Sequence, residues 1–348
     1  MNSYRKLKSF NQVLLFCFLL ILGLYYGAPF LIPFTFAVFS TTLLLPFATV
    51  LEKRLKFKRV LAAFATTFIL FLVVGGFLFL LIWQFSIFSN DLLNQRENIF
   101  KFVQSFREQI VQVTGFTLEQ QEQVIRERLF GFLQELQRYI SSLLNNIISI
   151  IVSFLLMLIY VFLLLIYRDK FYEFFMSFAT RMPNIELKAI LDESKKVAKK
   201  YVWGRIQVMT LLGIMYAITF FFFDLKYSLL LIIFGALITI IPYLGPFISG
   251  ILPILFMLIF GDSTSEIITF TIIIIIIQLI ESYVLEPVII GSEIKQSPLF
   301  IIVAIVLGGM LWGFAGLILF VPLFAVMKII FDHIPSLKHI GKLIGYQN

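Results

Sequence analysis

Charge, histidine and cysteine are all scarce in this chain of 348 residues. Asp, Glu, Lys and Arg supply 14% of it, against about a quarter in an average soluble domain, and 60% is apolar. So few charges cannot shield so much apolar surface from water, which excludes a soluble globular, disordered or collagen-like class and makes the bilayer the expected solvent. The single cysteine, Cys17, cannot close an intramolecular disulfide. Two histidines near the C-terminus, His333 and His339, do not make a zinc cluster, so no metal and no cofactor is expected. The H-E-x-x-H, G-x-S-x-G, G-x-x-x-x-G-K-[ST] and G-x-G-x-x-G signatures are missing. The chain therefore reads as no enzyme, and without a P-loop ATP is not its direct energy source. Passive conduction or coupling to an ion gradient remains.

What is present is a series of uncharged runs. A helix crossing about 30 Å of hydrocarbon takes roughly 20 apolar residues. Residues 11–51 carry no charge and suffice for two passes, with Pro29 and Pro33 where a turn between them would fall. Residues 60–90 supply a third crossing, 139–167 a fourth and 206–223 a shorter fifth. The run 227–261 is interrupted by Pro242, Gly245, Pro246, Gly250 and Pro253, which a straight helix tolerates poorly, so it reads as a broken hairpin. Residues 267–280 cross only with their flank through Leu285, which brings Glu281 close to lipid depth. The last run, 299–327, has Gly308, Gly309, Gly313 and Gly316 at its centre and is either one tilted helix or a second hairpin. Pro322 then interrupts it.

The formal charge of +8 matters through its distribution, because Lys and Arg mark the cytoplasmic side. Arg5, Lys6 and Lys8, the cluster Lys53 to Arg59, and the segment 168–205 with Lys195, Lys196, Lys199 and Lys200 all belong inside, as does the tail with Lys338 and Lys342. Residues 91–138 then fall outside. Their apolar positions, such as Phe102, Phe106, Ile110 and Leu129, Leu133, Leu136, recur at three-and-four spacing, and Thr117 with Gln120 resembles a capping box. That insertion reads as an amphipathic helical hairpin covering the membrane interface, the bundle or a neighbouring subunit. Residues 185–201 repeat the amphipathic pattern in a basic setting suited to anionic lipid headgroups. Interleaved acids make nucleic acid no expected partner. The resulting division is spans one to three (1–90), the insertion (91–138), span four (139–167), a basic cytoplasmic segment (168–205), a core with the broken hairpins (206–330) and a cytoplasmic tail (331–348). The expected fold is all-α, a polytopic transmembrane bundle with two broken or re-entrant hairpins and an amphipathic helical insertion.

Candidate chemistry concentrates between Gln278 and Pro298, Q-L-I-E-S-Y-V-L-E-P-V-I-I-G-S-E-I-K-Q-S-P. A carboxylate at lipid depth is costly and usually faces a cavity, a partner or an ion path, so Glu281 is the leading candidate for transport and proton coupling. The plain alternative is a side chain reaching the interface. Gln278 lies in the same run. Glu286 and Glu293 flank Pro287 and Gly291 in what reads as a loop, where solvated carboxylates are ordinary. The second element is Pro242, Tyr243, Gly245 and Pro246, whose two prolines remove backbone donors. Such backbone persists at membrane depth only when buried in protein or lining an aqueous cavity. In the last run Gly308, Gly309, Gly313 and Gly316 read as close packing first and as a hinge or gate second.

Taken together, I-P-Y-L-G-P at 241–246, I-E-S-Y-V-L-E-P-V-I-I-G at 280–291, Ser297-Pro298 and G-G-M-L-W-G-F-A-G-L-I-L-F-V-P at 308–322 resemble the autoinducer-2 exporter-like (AI-2E) family of membrane transporters. The resemblance implies a bacterial inner-membrane transporter, read as a secondary transporter, and the charge distribution puts both termini in the cytoplasm. The resemblance also implies a homo-oligomer, a pentamer being one assembly it allows. Some relatives are associated with export of the autoinducer-2 signal, others with exchange of sodium or lithium for protons, so the solute is expected to be a small polar molecule or a cation. Many relatives carry Gly-Gln where this chain has Gly204-Arg205, and Asn where it has Tyr283, which weakens the signal-export reading. The alternative is a non-transporting oligomeric scaffold or passive channel.

Overall fold

A computed structural model describes residues 2–92, most of 131–179, and 186–261, 263–291 and 296–345. Among the described residues the chain is almost wholly helical: α1 (Asn2–Tyr26), α2 (Ala28–Lys53), α3 (Arg59–Leu92), α4 (Ile147–Ala179), α5 (Leu187–Phe222), α6 (Ser228–Ile238), α7 (Leu244–Phe260), α8 (Thr264–Ile280), a π-helix (Glu281–Ile290), α9 (Pro298–His333) and α10 (Lys338–Ile344). Most of the amphipathic insertion, including Thr117 and Gln120, lies outside the described residues.

Among the described residues, six helical stretches have the length and composition to cross a membrane: Ala28–Lys53, Arg59–Asp91, Ile147–Ser177, Leu187–Phe222, Thr264–Ile290 and, taken end to end across a kink, Pro298–His333. Large side chains stand exposed along them, among them Phe64 and Val73 on α3, Val152 on α4 and Ile272 on α8. Lipid tails tolerate such faces and water does not. This is a multi-pass membrane protein.

Boundaries shift where local chemistry dictates. The joint between α1 and α2 is Gly27, and Pro29 and Pro33 lie beyond it, Pro29 in the first turn of α2, where a missing N–H is harmless, and Pro33 inside the helix. The basic amphipathic segment and the fifth span are one helix, α5, because 187–222 contains no proline to stop it. Residues 281–290 are not a loop. The helix continues past Ile280 with widened π turns, which accommodate Pro287 where a tighter coil would press its ring on the preceding turn.

The helices form two compact units: Met1–Phe71 with Val152–Arg205 and Ile290–Asn348, and Leu72–Ile151 with Ile206–Ile289. In the first, Ala37, Ala48 and Ala63 are small enough for α2 and α3 to close on Val161 and Leu165 of α4. Arg168 forks onto Glu52 (2.9 and 2.5 Å), and Arg59 reaches Asp169 (2.5 Å). The same unit holds α9, and Gly313 (φ 56°, ψ −136°) breaks it. The arm 298–312 then rises about 22 Å, short of the roughly 30 Å of hydrocarbon. Its Gly308 lies against the backbone of Gly316 in the other arm, where a Cβ on either would collide. Trp312 meets Phe320 edge-on at 5.2 Å and donates its indole N–H to the Leu24 carbonyl of α1 (2.8 Å). The last run is therefore a hairpin and not one tilted helix, and Pro322 sits inside its second arm without ending it.

The second unit packs Leu212, Tyr216 and Phe220 of α5 against Phe270, Ile274 and Ile277 of α8, with Leu231 of α6 and Met257 of α7 closing the core. Phe88, near the end of α3, packs on Tyr227 and Phe256. The Tyr227 hydroxyl donates to Asp91, and burial, reinforced by that bond, raises its pKa so that it stays a neutral donor.

Alanine at Gly308 or Gly316 should force the α9 arms apart and lower the melting temperature of the purified protein by several degrees, whereas Gly76→Ala, with nothing within 4 Å, should leave it unchanged or raise it. Thermal unfolding of the three variants in detergent checks this ranking.

Candidate functional site

The second unit contains a polar cluster in apolar surroundings, and the break between α6 and α7 creates it. After Ile238 the chain turns through Thr239 to Tyr243, and Gly245 lies so close to the Ile238 carbonyl and Thr239 Cα that no side chain would fit. Tyr243 takes φ 64° and ψ −53°, and the Leu244 N–H donates to the Pro242 carbonyl at 2.7 Å. That is a γ-turn of the positive-φ kind, rare and strained for a residue with a side chain. Tyr243 itself is 54% exposed, while Pro242 and Gly245 are buried.

Beyond the turn, α7 directs the Pro246 carbonyl and Ser249 towards α8. Opposite them is Gln278, whose side chain lies flat on the backbone at Gly250, where an added Cβ would stand 2.9 Å from Cγ. Its carboxamide satisfies every neighbour in one orientation. The nitrogen donates to the Pro246 carbonyl (2.9 Å) and to Glu281 Oε2 (3.2 Å), and the oxygen faces the hydroxyls of Tyr216 (2.5 Å) and Ser249 (3.2 Å). With the amide reversed, its oxygen would oppose the Pro246 carbonyl and the carboxylate, so the hydrogen-bond network assigns this orientation. The Ser249 carbonyl, 2.9 Å from the Tyr216 hydroxyl, and the Pro246 carbonyl, 3.1 Å from the Ser249 hydroxyl, are alternative acceptors for those two protons.

Glu281 is fully buried, at 0% exposure, and Tyr216 and Ser249 are equally covered. It stands at the junction of α8 and the π-helix, where its own N–H is shared between the carbonyls of Gln278 and Ile277. A buried carboxylate is maintained only by hydrogen bonds and charge partners, because desolvation opposes its ionised form. Chemically, the cluster can hold a negative charge, exchange a proton and transmit either change to the α7 backbone through one amide.

Of the residues expected from sequence, the structure brings Glu281, Gln278 and Pro246 together, with Pro242, Tyr243 and Gly245 forming the turn that presents them. Glu286 is partly buried one π turn farther along. Glu293 lies outside the described residues. Gly291, Pro298 and the four glycines of α9 belong to the other unit. Gly291 (φ +64°) lies 3.7 Å from Lys200 Nζ there, measured from the position a Cβ would take, and Pro298 opens α9. Sequence reasoning missed Tyr216, Ser249 and Gly250. Their signals were a hydroxyl in an apolar span that needs a partner, a serine one turn after Pro246, and a glycine leaving room for a long side chain.

The site belongs to a helical, multi-pass membrane protein. A family profile described as AI-2E family transporter matches residues 14–336, and the chain belongs to that family. Two proteins of Bacillus subtilis (strain 168) are similar. Putative transport protein YrrI is 35% identical over 133 residues, 38% of this chain and 37% of that protein. Putative transport protein YueF is 30% identical over 218 residues, 61% and 58% respectively. The matched regions thus span less than two thirds of either relative. A Putative transport protein of Alkalihalophilus pseudofirmus is 23% identical over 316 residues, covering 86% of this chain and 81% of its own.

Replacing Tyr243 by glycine should relieve the strained γ-turn, leaving stability unchanged or raised by up to about 2 kcal/mol. A lower melting temperature for Tyr243→Gly than for the parent would show that the turn carries no strain.

Proposed function

We propose that the protein is a secondary transporter of a small polar solute or cation, coupled to proton movement through Glu281. One observation carries this reading: a fully buried carboxylate is tied by Gln278 to donor-poor backbone at Pro246. Secondary transporters build their sites from interrupted helices and ionisable side chains in the same way. The names of the relatives, all transport proteins, support the class, and the solute follows from neither family nor fold. In this reading Glu281 is protonated in one conformation and ionised in the other, and the α6–α7 hairpin moves between them.

Purified protein in proteoliposomes, with a pH-sensitive dye inside, tests the coupling. An imposed pH gradient should drive, or be dissipated by, flux of sodium, lithium or one member of a panel of small polar solutes, and Glu281→Gln should reduce that coupled flux at least tenfold. Flux indifferent to the gradient would identify a passive channel, absence of all flux a scaffold, and unchanged coupling in Glu281→Gln would remove this residue from the mechanism.

We further propose a bacterial inner-membrane location with both termini in the cytoplasm, an orientation that the distribution of lysines and arginines supports. A reporter fused to the C-terminus should be active only in its cytoplasmic form, and a periplasm-active fusion would reverse the orientation.

A further inference from the structure

The Gln278 carboxamide has a second orientation, which sets its oxygen against two acceptors while Glu281 is ionised but still bonds its nitrogen to two hydroxyls. With its ends exchanged, the nitrogen donates to the Tyr216 hydroxyl (2.5 Å) and the Ser249 hydroxyl (3.2 Å). Tyr216 then gives its proton to the Ser249 carbonyl (2.9 Å), and Ser249 gives its own to the Pro246 carbonyl (3.1 Å). Hydroxyls serve as donors or acceptors, so both arrangements bond Tyr216 and Ser249, although only the second leaves their protons to the Ser249 and Pro246 carbonyls. The charge-dependent difference lies on the other side, where Glu281 and Pro246 stand.

Ionised, Glu281 can only accept, and it selects the orientation with nitrogen towards it. Protonated, it can also donate its O–H to the amide oxygen across the same 3.2 Å, which removes the bar to the other orientation. That exchange sets the amide oxygen 2.9 Å from the Pro246 carbonyl oxygen, two acceptors with no proton between them. The repulsion is relieved only if Pro246 withdraws, and Pro246 lies in the first turn of α7, directly after the strained turn at Tyr243. Gln278 cannot easily yield instead, since Gly250 forms a floor beneath it and a rise of a few tenths of an ångström would break its other bonds.

We propose that the Gln278 carboxamide is a positioning residue that couples the charge on Glu281 to the broken backbone at Pro246 by reversing its hydrogen-bond sense. This rests on the transporter reading and deepens it by naming the part that converts protonation into movement. Other titratable or charged groups lie on the elements that carry the cluster. Tyr216 of α5 interacts with the Glu281 charge, α5 carries the buried Arg205 about three turns earlier, and Glu286 follows on the π-helix. The helices α6 and α7 contain no acidic or basic residue.

The test uses the full chain in nanodiscs with Cys17→Ala and an environment-sensitive bimane attached at Phe247→Cys, a position beside Pro246 that is 66% exposed. Between pH 5 and 9 the parent emission should titrate in a single step, and Glu281→Gln should flatten it. Gln278→Met, similar in size but unable to donate or accept through an amide, should reduce the pH-dependent change at least fivefold. Gln278→Asn, which keeps the amide but withdraws it by one methylene, should do the same and serves if the methionine variant does not fold. A full response in both Gln278 variants overturns the coupling role while leaving Glu281 as the titrating group. A response that persists in Glu281→Gln overturns the underlying transporter reading of that residue, and a parent signal independent of pH overturns the switch itself.

Discussion

A backbone interrupted inside an apolar bundle leaves carbonyls and N–H groups that neither lipid nor aliphatic side chains can satisfy, and the second unit is organised around meeting that requirement. Pro242 and Pro246 remove donors from the α6–α7 connection, and the Gln278 amide brings a side-chain donor to that region at the Pro246 carbonyl. The same amide holds Glu281, so the repair of the backbone and the stabilisation of a buried carboxylate are one interaction. Tyr216 and Ser249 complete it from α5 and α7, and the aromatic layer of Tyr216, Phe220 and Phe270 keeps the cluster dry on that side.

The first unit solves a similar problem with no fully buried acid among its described residues. Gly313 lets α9 fold back, Gly308 and Gly316 let its arms touch, and Trp312 fastens the tip to α1 through a carbonyl near the α1–α2 joint. Polar side chains cluster at helix ends, where Arg168 with Glu52 and Arg59 with Asp169 bind α2, α3 and α4. Partly exposed pairs of this kind contribute modestly each, and their geometry serves register more than stability. The close approach of small residues does the greater part of the packing, as expected where no hydrophobic effect drives helices together in lipid.

These two modes suit different tasks. Glycine contacts fix a shape, because backbone against backbone leaves no alternative arrangement. An amide between a carboxylate and a carbonyl can be reversed, and in the switch proposed above the charge on Glu281 decides its sense. In that transport reading the glycine contacts serve as rigid frame and the amide as bistable element.

Much of this was legible in the residue order. Charge-free runs locate spans because hydrocarbon excludes charge, and Pro242, Gly245 and Pro246 announce a break because they cannot sustain a helical ladder. Glu281 declared itself by its cost at lipid depth. Tertiary structure alone decided whether 299–327 crosses or returns, since a glycine row permits both and only the pairing of Gly308 with Gly316 distinguishes them. It also turned the supposed loop after Ile280 into a π-helix, and it brought Tyr216 and Ser249 to Gln278 from helices distant in sequence. Side-chain period and hydropathy describe one helix at a time, whereas a hydrogen bond between three helices depends on their packing, which no local pattern encodes.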